Sequence, residues 1–438
     1  MKLDGAKVVV VGMARSGIAA VELLIGKGAR VVAVDLEPVK DERLIQWGIE
    51  VQPMTRPSFA GADLIVLSPG VPPDTQVIGM SRRRGVAVIG DLELASWFLQ
   101  GETIGITGSN GKTTTTAMTG HILKSSGIPA QTGGNIGTAP CAMVAKSQPG
   151  QWNVLELSSF QLETIDTFRA HIGVVLNVTP DHLDRHYTLE RYAAAKARVF
   201  ENQRDGDFAV LNADDPITRG FDANRGVTHW FSSTGSVAPG ACLDGDRILL
   251  DDEPLMETRE VPLRGVHNLE NTMAAAIVAH LCGATHGQIR EAVMTFPGVE
   301  HRLEFVREIG GVAWYNDSKA TNVDATLKAL AAFQGGLWVI LGGKDKGGDY
   351  APLAAPLKEK AHVALLIGAA AEKIASQLQD SARLLPCGTL EAAVREAHAR
   401  AVSGDTVLLA PACASFDQFQ NFEHRGREFK RLVQGLVE

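Results

Sequence analysis

The run Ile104-Gly105-Ile106-Thr107-Gly108-Ser109-Asn110-Gly111-Lys112-Thr113-Thr114 carries the chemistry of phosphate binding. An apolar strand runs into a glycine-rich loop, and the loop opens a helix. Glycines let the backbone approach phosphate closely. Successive N–H groups and the helix N-terminus supply positive potential, and Lys112 adds a full charge. Thr113 places a hydroxyl where a nucleotide's magnesium can be met. The common form of this loop has glycine five residues before Gly111, whereas this chain has Ile106, flanked by Gly105 and Gly108. A bare strand–turn–helix corner is the alternative, and Gly-Lys-Thr directly after a strand argues against it.

Other groups have the right types at ligand-facing positions. Glu156 ends an apolar run and can bind the magnesium of a nucleotide, or stand as a surface acid. Thr179-Pro180-Asp181-His182-Leu183-Asp184-Arg185-His186 concentrates acids and histidines after another strand, for metal or phosphate contact or for capping and packing. Lys196, in a helical stretch of alanines, reads by itself as a solvated helix lysine. Asn268 and Asn271 place two amides on one helix face, for an adenine edge or for N-cap duty. His301-Arg302, the run 316–322, Lys344-Asp345-Lys346-Gly347-Gly348, Ser415-Phe416-Asp417 and Phe422-Glu423 form further polar loops. Each alone is also a loop of mixed polarity. Gly12-Met13-Ala14-Arg15-Ser16-Gly17, with Asp35 beyond it, resembles a dinucleotide fingerprint with Ala14 for the middle glycine. A packing turn, a mononucleotide site and an NAD site all stay open there.

These positions need a scaffold of parallel strands and helices. Apolar runs at 7–11, 30–35, 64–67 and 86–89 predict a first sheet. Runs at 103–107, 153–157, 173–178 and 208–212, with a helix over 112–125, predict a second. Residues 224–263 read as a hairpin-rich insertion turning at Asp244-Gly245-Asp246, and 267–281 as a helix. After Pro297-Gly298, strands at 337–341, 363–367 and 406–410 predict a third sheet. The expectation is α/β in three domains, 1–92, 93–298 and 299–438, with Rossmann-like ends around a central P-loop-type ATPase.

Bulk properties agree. A chain of 438 residues exceeds one ordinary core. The net charge of −8 leaves no global basic surface for nucleic acid. Five scattered cysteines without a CxxC pair argue against a disulfide framework or structural zinc. The opening residues read as strand and turn, not a secretory signal, and no run suits a membrane helix. A cytoplasmic protein without membrane insertion is expected.

Taken together, the chain resembles the Mur ligases, and among them the branch that adds D-glutamate. The motifs are TGSNGKTTT (107–115), GGNIG (133–137), ELSSFQLE (156–163), NVTPDHLDRH (177–186), AAKARVF (194–200), HNLEN (267–271), HRLE (301–304), NDSKATN (316–322), LGGKDKGGDY (341–350), PACASFDQF (411–419) and NFEHRGREF (421–429). The resemblance implies an ATP-dependent, ADP-forming amide ligase of peptidoglycan precursor synthesis. UDP-N-acetylmuramoyl-L-alanine and D-glutamate are its implied substrates, an acyl phosphate its intermediate, and a monomer its implied state. Gly108, Ser109, Asn110, Gly111, Lys112, Thr113 and Thr114 would hold ATP phosphates, with Asn268, Asn271, Arg302 and Asp317 on adenosine and phosphates. Thr113 and Glu156 would bind one Mg2+, His182 and Lys196 a second. Lys196 would carry a CO2-derived carbamate, reversing its plain reading. Asn135 would contact the precursor, and Arg15, Ser16, Asp35, Ser68 and Gly70 its uridine nucleotide, where Leu36 departs from the hydroxyl of other members. Thr321, Lys346, Ser415 and Phe422 would position D-glutamate. A Mur ligase for a different amine is the nearest alternative; a nucleotide-driven switch lacks NKxD, and a dehydrogenase leaves 108–114 unused.

Overall fold

The computed structural model describes residues 2–437 apart from Asn224, Lys346 and Asp380. It contains three sheets. The first has β1 (Lys7–Val11), β2 (Arg30–Asp35), β3 (Gln52–Pro53), β4 (Leu64–Leu67) and β5 (Ala87–Gly90), in the order β3-β2-β1-β4-β5, all parallel. Val8 and Val10 pack on one face of it and Val9 and Val11 on the other. A strand covered on both faces reads as an unbroken apolar run, which is why it was legible.

The central sheet has β6 (Glu102–Thr107), β7 (Ala130–Gly134), β8 (Trp152–Glu156), β9 (Ile172–Val175), β10 (Phe208–Asn212), β11 (Val227–Ser232), β12 (Gly240–Asp244), β13 (Arg247–Leu250) and β14 (Glu253–Glu257). Its order is β14-β13-β12-β11-β10-β9-β6-β8-β7. Of the expected hairpin-rich insertion at 224–263, β12-β13-β14 is an antiparallel edge turning at Gly245 with φ 56°, whereas β11 pairs in parallel with β10 and β12. β6 lies between β8 and β9, so their C-terminal ends bring Thr107, Glu156 and Val175 side by side. β9 stops three residues short of the expected 178. Asn177 turns its carbonyl to Ser109 N at 2.9 Å, and its amide side chain serves the phosphate loop.

The third sheet has β15 (Glu304–Ile309), β16 (Val312–Asn316), β17 (Leu337–Gly342), β18 (Ala361–Ile367), β19 (Arg383–Gly388) and β20 (Thr406–Leu409), in the order β15-β16-β20-β17-β18-β19. Among the described residues its β15-β16 pair is antiparallel and its other pairs are parallel. Val339, Leu341 and Leu408 fill one face, and Trp338, Ile340, Val407 and Leu409 the other. Because β17 and β20 are neighbours, the loops 343–350 and 410–416 leave the sheet side by side.

Met1–Glu260 with Glu270–Phe296 form one compact unit, and Val261–Leu269 with Pro297–Glu438 form another. Among the described residues no helix is long and apolar enough to cross a membrane.

Candidate active site

In the first unit the phosphate loop is locked from below. Asn177 Oδ1 accepts from Asn110 N at 2.8 Å, and Asn177 Nδ2 donates to Asn110 O at 3.2 Å. Ser109 Oγ donates to Thr179 O and accepts from Thr179 N, both at 2.9 Å. Gly111 caps the helix Lys112–Ser125 at φ 86°, and a Cβ there would stand 2.3 Å from Asn271 Oδ1. Only glycine meets both demands cheaply. Lys112 Nζ lies on the carbonyls of Gly108 and Ser109, at 2.9 and 2.8 Å. Its charge is thereby kept at the mouth of the loop.

Glu156 joins two sites. Its Oε2 accepts from Thr113 Oγ1 at 2.8 Å, and its Oε1 accepts from Asn135 Nδ2 at 3.0 Å. Glu156 is only 2% exposed, so the reading of a plain surface acid is corrected. Asn135 N also donates to Glu156 O at 2.8 Å. On its other side Asn135 lines a cleft of about 690 Å³ with Gly12, Arg15, Ser16, Asp35, Leu36, Ser68, Gly70 and Val71 among its walls. Arg15 Nη2 donates to Asn135 O at 3.1 Å. The structure therefore gathers Arg15, Ser16, Asp35, Ser68, Gly70 and Asn135 around one cleft, with Leu36 exposed at its wall. The Asp35 carboxylate accepts from the N–H groups of Met13 at 2.6 Å and Leu36 at 2.7 Å, so it clamps the Gly12 turn.

Lys196 is 1% exposed, which overturns the solvated-lysine reading. Its helix, Leu189–Ala197, turns this position inward, where Nζ donates to Gly108 O at 2.7 Å and stands 4.3 Å from the Tyr192 ring. Burial pushes its pKa well below the usual amine value, the Lys112 charge adds to that, and Asp181 and Glu156 oppose it. His182 takes a left-handed backbone, φ 53°, with Nε2 3.5 Å from Asp181 Oδ2 and its ring edge-on to Phe160. Among the described residues no three His, Cys, Asp or Glu groups form a ready metal cage. A hydroxyl and a carboxylate beside a phosphate loop still suit Mg2+, which takes few protein ligands and completes its shell with phosphate oxygens and water. Asn271 Oδ1 accepts from Thr115 Oγ1 at 3.3 Å.

The second unit holds the remaining positions. Asn268 Nδ2 donates to Arg264 O at 2.7 Å. Asp317 follows β16 and is buried; desolvation raises its pKa to about 6 against the opposing pull of Arg302, the Leu303 N–H and Lys319. The buried Nε of Arg302 has no partner among the described residues, a donor suited to a phosphate oxygen. Ser415 is 2% exposed. Arg425 is wholly buried and donates to Ser318 O at 2.8 Å and to Cys413 O at 3.1 Å, tying the loops that carry Asp317 and Ser415. Phe422 opens the last helix, Phe422–Gln434, with its ring edge-on to His301. Thr321 N donates to Lys319 O at 2.8 Å in the turn after Asp317. Lys346 lies outside the described residues.

Residues 6–90 match the Mur ligase MurD-like N-terminal domain, 106–279 the Mur ligase middle domain, and 301–413 the Mur ligase glutamate ligase domain. The UDP-N-acetylmuramoylalanine–D-glutamate ligase of Solibacter usitatus is 59% identical over 438 residues, covering 100% of this chain and 99% of that protein. The chain belongs to the Mur ligase family. The ligase of the same name from Koribacter versatilis is 47% identical, over 100% of this chain and 99% of that one. Among solved structures, the UDP-N-acetylmuramate-alanine ligase MurC of Thermotoga maritima superposes with a TM-score of 0.63 at 20% identity, over 98% of this chain and 99% of that one. A pseudomurein peptide ligase type C from Methanothermus fervidus gives 0.62 at 20%, over 98% and 99%. At such identities the two structures speak for the fold.

Sequence reasoning missed two groups of this Mur ligase. Asn177 holds the phosphate loop, and the expected strand over 173–178 hides it; its one signal is an amide at the end of an apolar run. Arg425 stands in the motif at 421–429 with no role apparent from its spacing; its signal is an arginine on the inward face of an amphipathic helix.

Proposed function

We propose that this Mur ligase joins D-glutamate to UDP-N-acetylmuramoyl-L-alanine in the cytoplasm, with ATP as phosphoryl donor, for peptidoglycan precursor synthesis. The observation that carries the reading is the Glu156 carboxylate, shared between Thr113 of the phosphate loop and Asn135 of the cleft. One acid thus links a triphosphate grip to a second ligand site. The names of the 59% and 47% identical relatives supply the substrates.

Activation is needed because a carboxylate is a poor electrophile. The terminal carboxylate oxygen of the precursor attacks the γ-phosphorus, the bond to ADP breaks, and an acyl phosphate forms. The D-glutamate amine then attacks the carbonyl carbon, loses a proton, and expels phosphate. Anions must meet at both steps. Lys112 and the loop N–H groups would spread the γ-phosphate charge, and Asn135 would orient the precursor. Thr113 and Glu156 would hold one Mg2+, and His182 with Lys196 a second. Mg2+ supplies charge neutralisation at the transferring phosphoryl group. A carbamate on Lys196 would turn a cation into an anionic oxygen donor, and the buried, desolvated amine fits that modification. Asn268, Asn271, Arg302 and Asp317 would hold adenosine and phosphates, and Arg15, Ser16, Asp35, Ser68 and Gly70 the uridine nucleotide. Thr321, Lys346, Ser415 and Phe422 would receive D-glutamate. The test is phosphate release with each substrate omitted in turn and with L-lysine or diaminopimelate replacing D-glutamate. Equal release with another amine would move the assignment to a different branch.

A further inference from the structure

We propose that Tyr350 is a positioning residue for the incoming amino acid, setting the spacing between the loops that follow β17 and β20. The inference rests on the reading of Ser415 and its loop as the D-glutamate pocket.

Among the described residues, two ties join these loops. The backbone tie is Lys344 N donating to Ala414 O at 2.8 Å. The side-chain tie is the phenol of Tyr350, which is only 1% exposed. Its hydroxyl donates to Asp345 Oδ1 at 2.8 Å and meets Cys413 Sγ at 3.1 Å. With its proton committed to a carboxylate, the hydroxyl accepts from the thiol. One oxygen therefore touches the 343–350 loop and the 410–416 loop, two residues before Ser415.

The first loop is itself anchored from outside, through the Asp345 carboxylate and the Tyr350 backbone. Asp345 Oδ2 accepts from Lys373 Nζ at 2.8 Å, and Tyr350 N donates to Gln377 Oε1 at 2.8 Å. Lys373 and Gln377 both sit on the helix Ala371–Gln377. The ring packs in the same core as Leu341, Leu353 and Leu408. Packing alone would be served by phenylalanine, whereas a buried hydroxyl has to be matched by partners to be tolerated. Its matched partners are the two loops, so its specific consequence is their separation. A small dicarboxylate held between polar groups is sensitive to shifts of fractions of an ångström.

Tyr350→Phe keeps the ring and removes the tie. In the phosphate-release assay the KM for D-glutamate is expected to rise roughly tenfold, the loss of one charge-assisted hydrogen bond. The ATP KM should stay within about twofold and the melting temperature nearly unchanged. Asp345→Asn retains an acceptor but loses the ion pair with Lys373, and should raise the same KM by less. A D-glutamate KM unchanged in both variants would overturn the proposal. So would equal rises in both KM values with a lowered melting temperature, the mark of a merely structural role. The parent protein is assayed first. If it ignores D-glutamate, the pocket reading fails separately, and the KM split is then decided with whichever amine it accepts.

Discussion

Lys112 and Lys196 both donate to the Gly108 carbonyl, yet they differ in how legible they are. Lys112 sits in a pattern whose spacing states its duty, and the structure keeps its ammonium on the loop carbonyls. Lys112→Ala should abolish phosphate release while leaving the melting temperature close to the parent's; near-normal turnover would remove the loop from the mechanism. Lys196 carries no such spacing. A lysine among alanines on a short helix is ordinarily solvated, and only tertiary packing against Tyr192 and Gly108 buries it. Lys196→Ala should lose most activity and regain part of it with added short carboxylates, which substitute for an anionic donor. Absence of rescue would count against the carbamate. The same limit hid the pairing of Glu156 with Asn135, which lie on different strands' ends and meet only because β7 and β8 are neighbours.

At the scale of elements, doubly covered parallel strands were read well and edges poorly. β7, Ala-Gln-Thr-Gly-Gly, has almost no apolar or β-branched content, yet it pairs because its glycines admit close approach: a Cβ on Gly134 would lie 2.3 Å from Glu156 O. The β15-β16 hairpin lies outside the three strands expected for its sheet, although Gly310-Gly311, with φ of 56° and 75°, is a turn signal. The phosphate loop itself admits a sharp test. Gly111→Ala forces an alanine into the left-handed region, at about 1–2 kcal/mol, and presses its Cβ on Asn271 Oδ1. The ATP KM should rise and stability fall; unchanged values would mean that the loop tolerates another shape. Ser415, at the end of the β20 loop, gives the complementary test. Ser415→Ala should raise the D-glutamate KM more than the ATP KM, and the reverse would misplace the amino-acid pocket.

Across the whole molecule, one buried carboxylate ties the segment after the first sheet to the central sheet. Glu93, 0% exposed, accepts from the N–H groups of Asp166 at 2.8 Å, Thr167 at 3.0 Å and Phe168 at 2.9 Å, and from Trp97 Nε1 at 2.8 Å. Burial pushes its pKa up, but the bonds from Asp166, Thr167 and Phe168 outweigh that, and the carboxyl sits below its ordinary value. A depressed pKa contributes stability that is complete above the unfolded value of about 4.3 and is lost as pH falls through the folded one. Glu93→Gln should therefore cost roughly 2–4 kcal/mol near neutrality, with the gap closing in acid, as read by denaturant melts at stepped pH. A pH-independent gap would assign the loss to packing. The proposed ligase activity needs two ligand sites sharing Glu156, and phosphate release tests it most directly. Release from ATP and Mg2+ should require UDP-N-acetylmuramoyl-L-alanine and D-glutamate together, with one phosphate per amide formed. Steady release from ATP alone, or release that ignores the precursor, would contradict it.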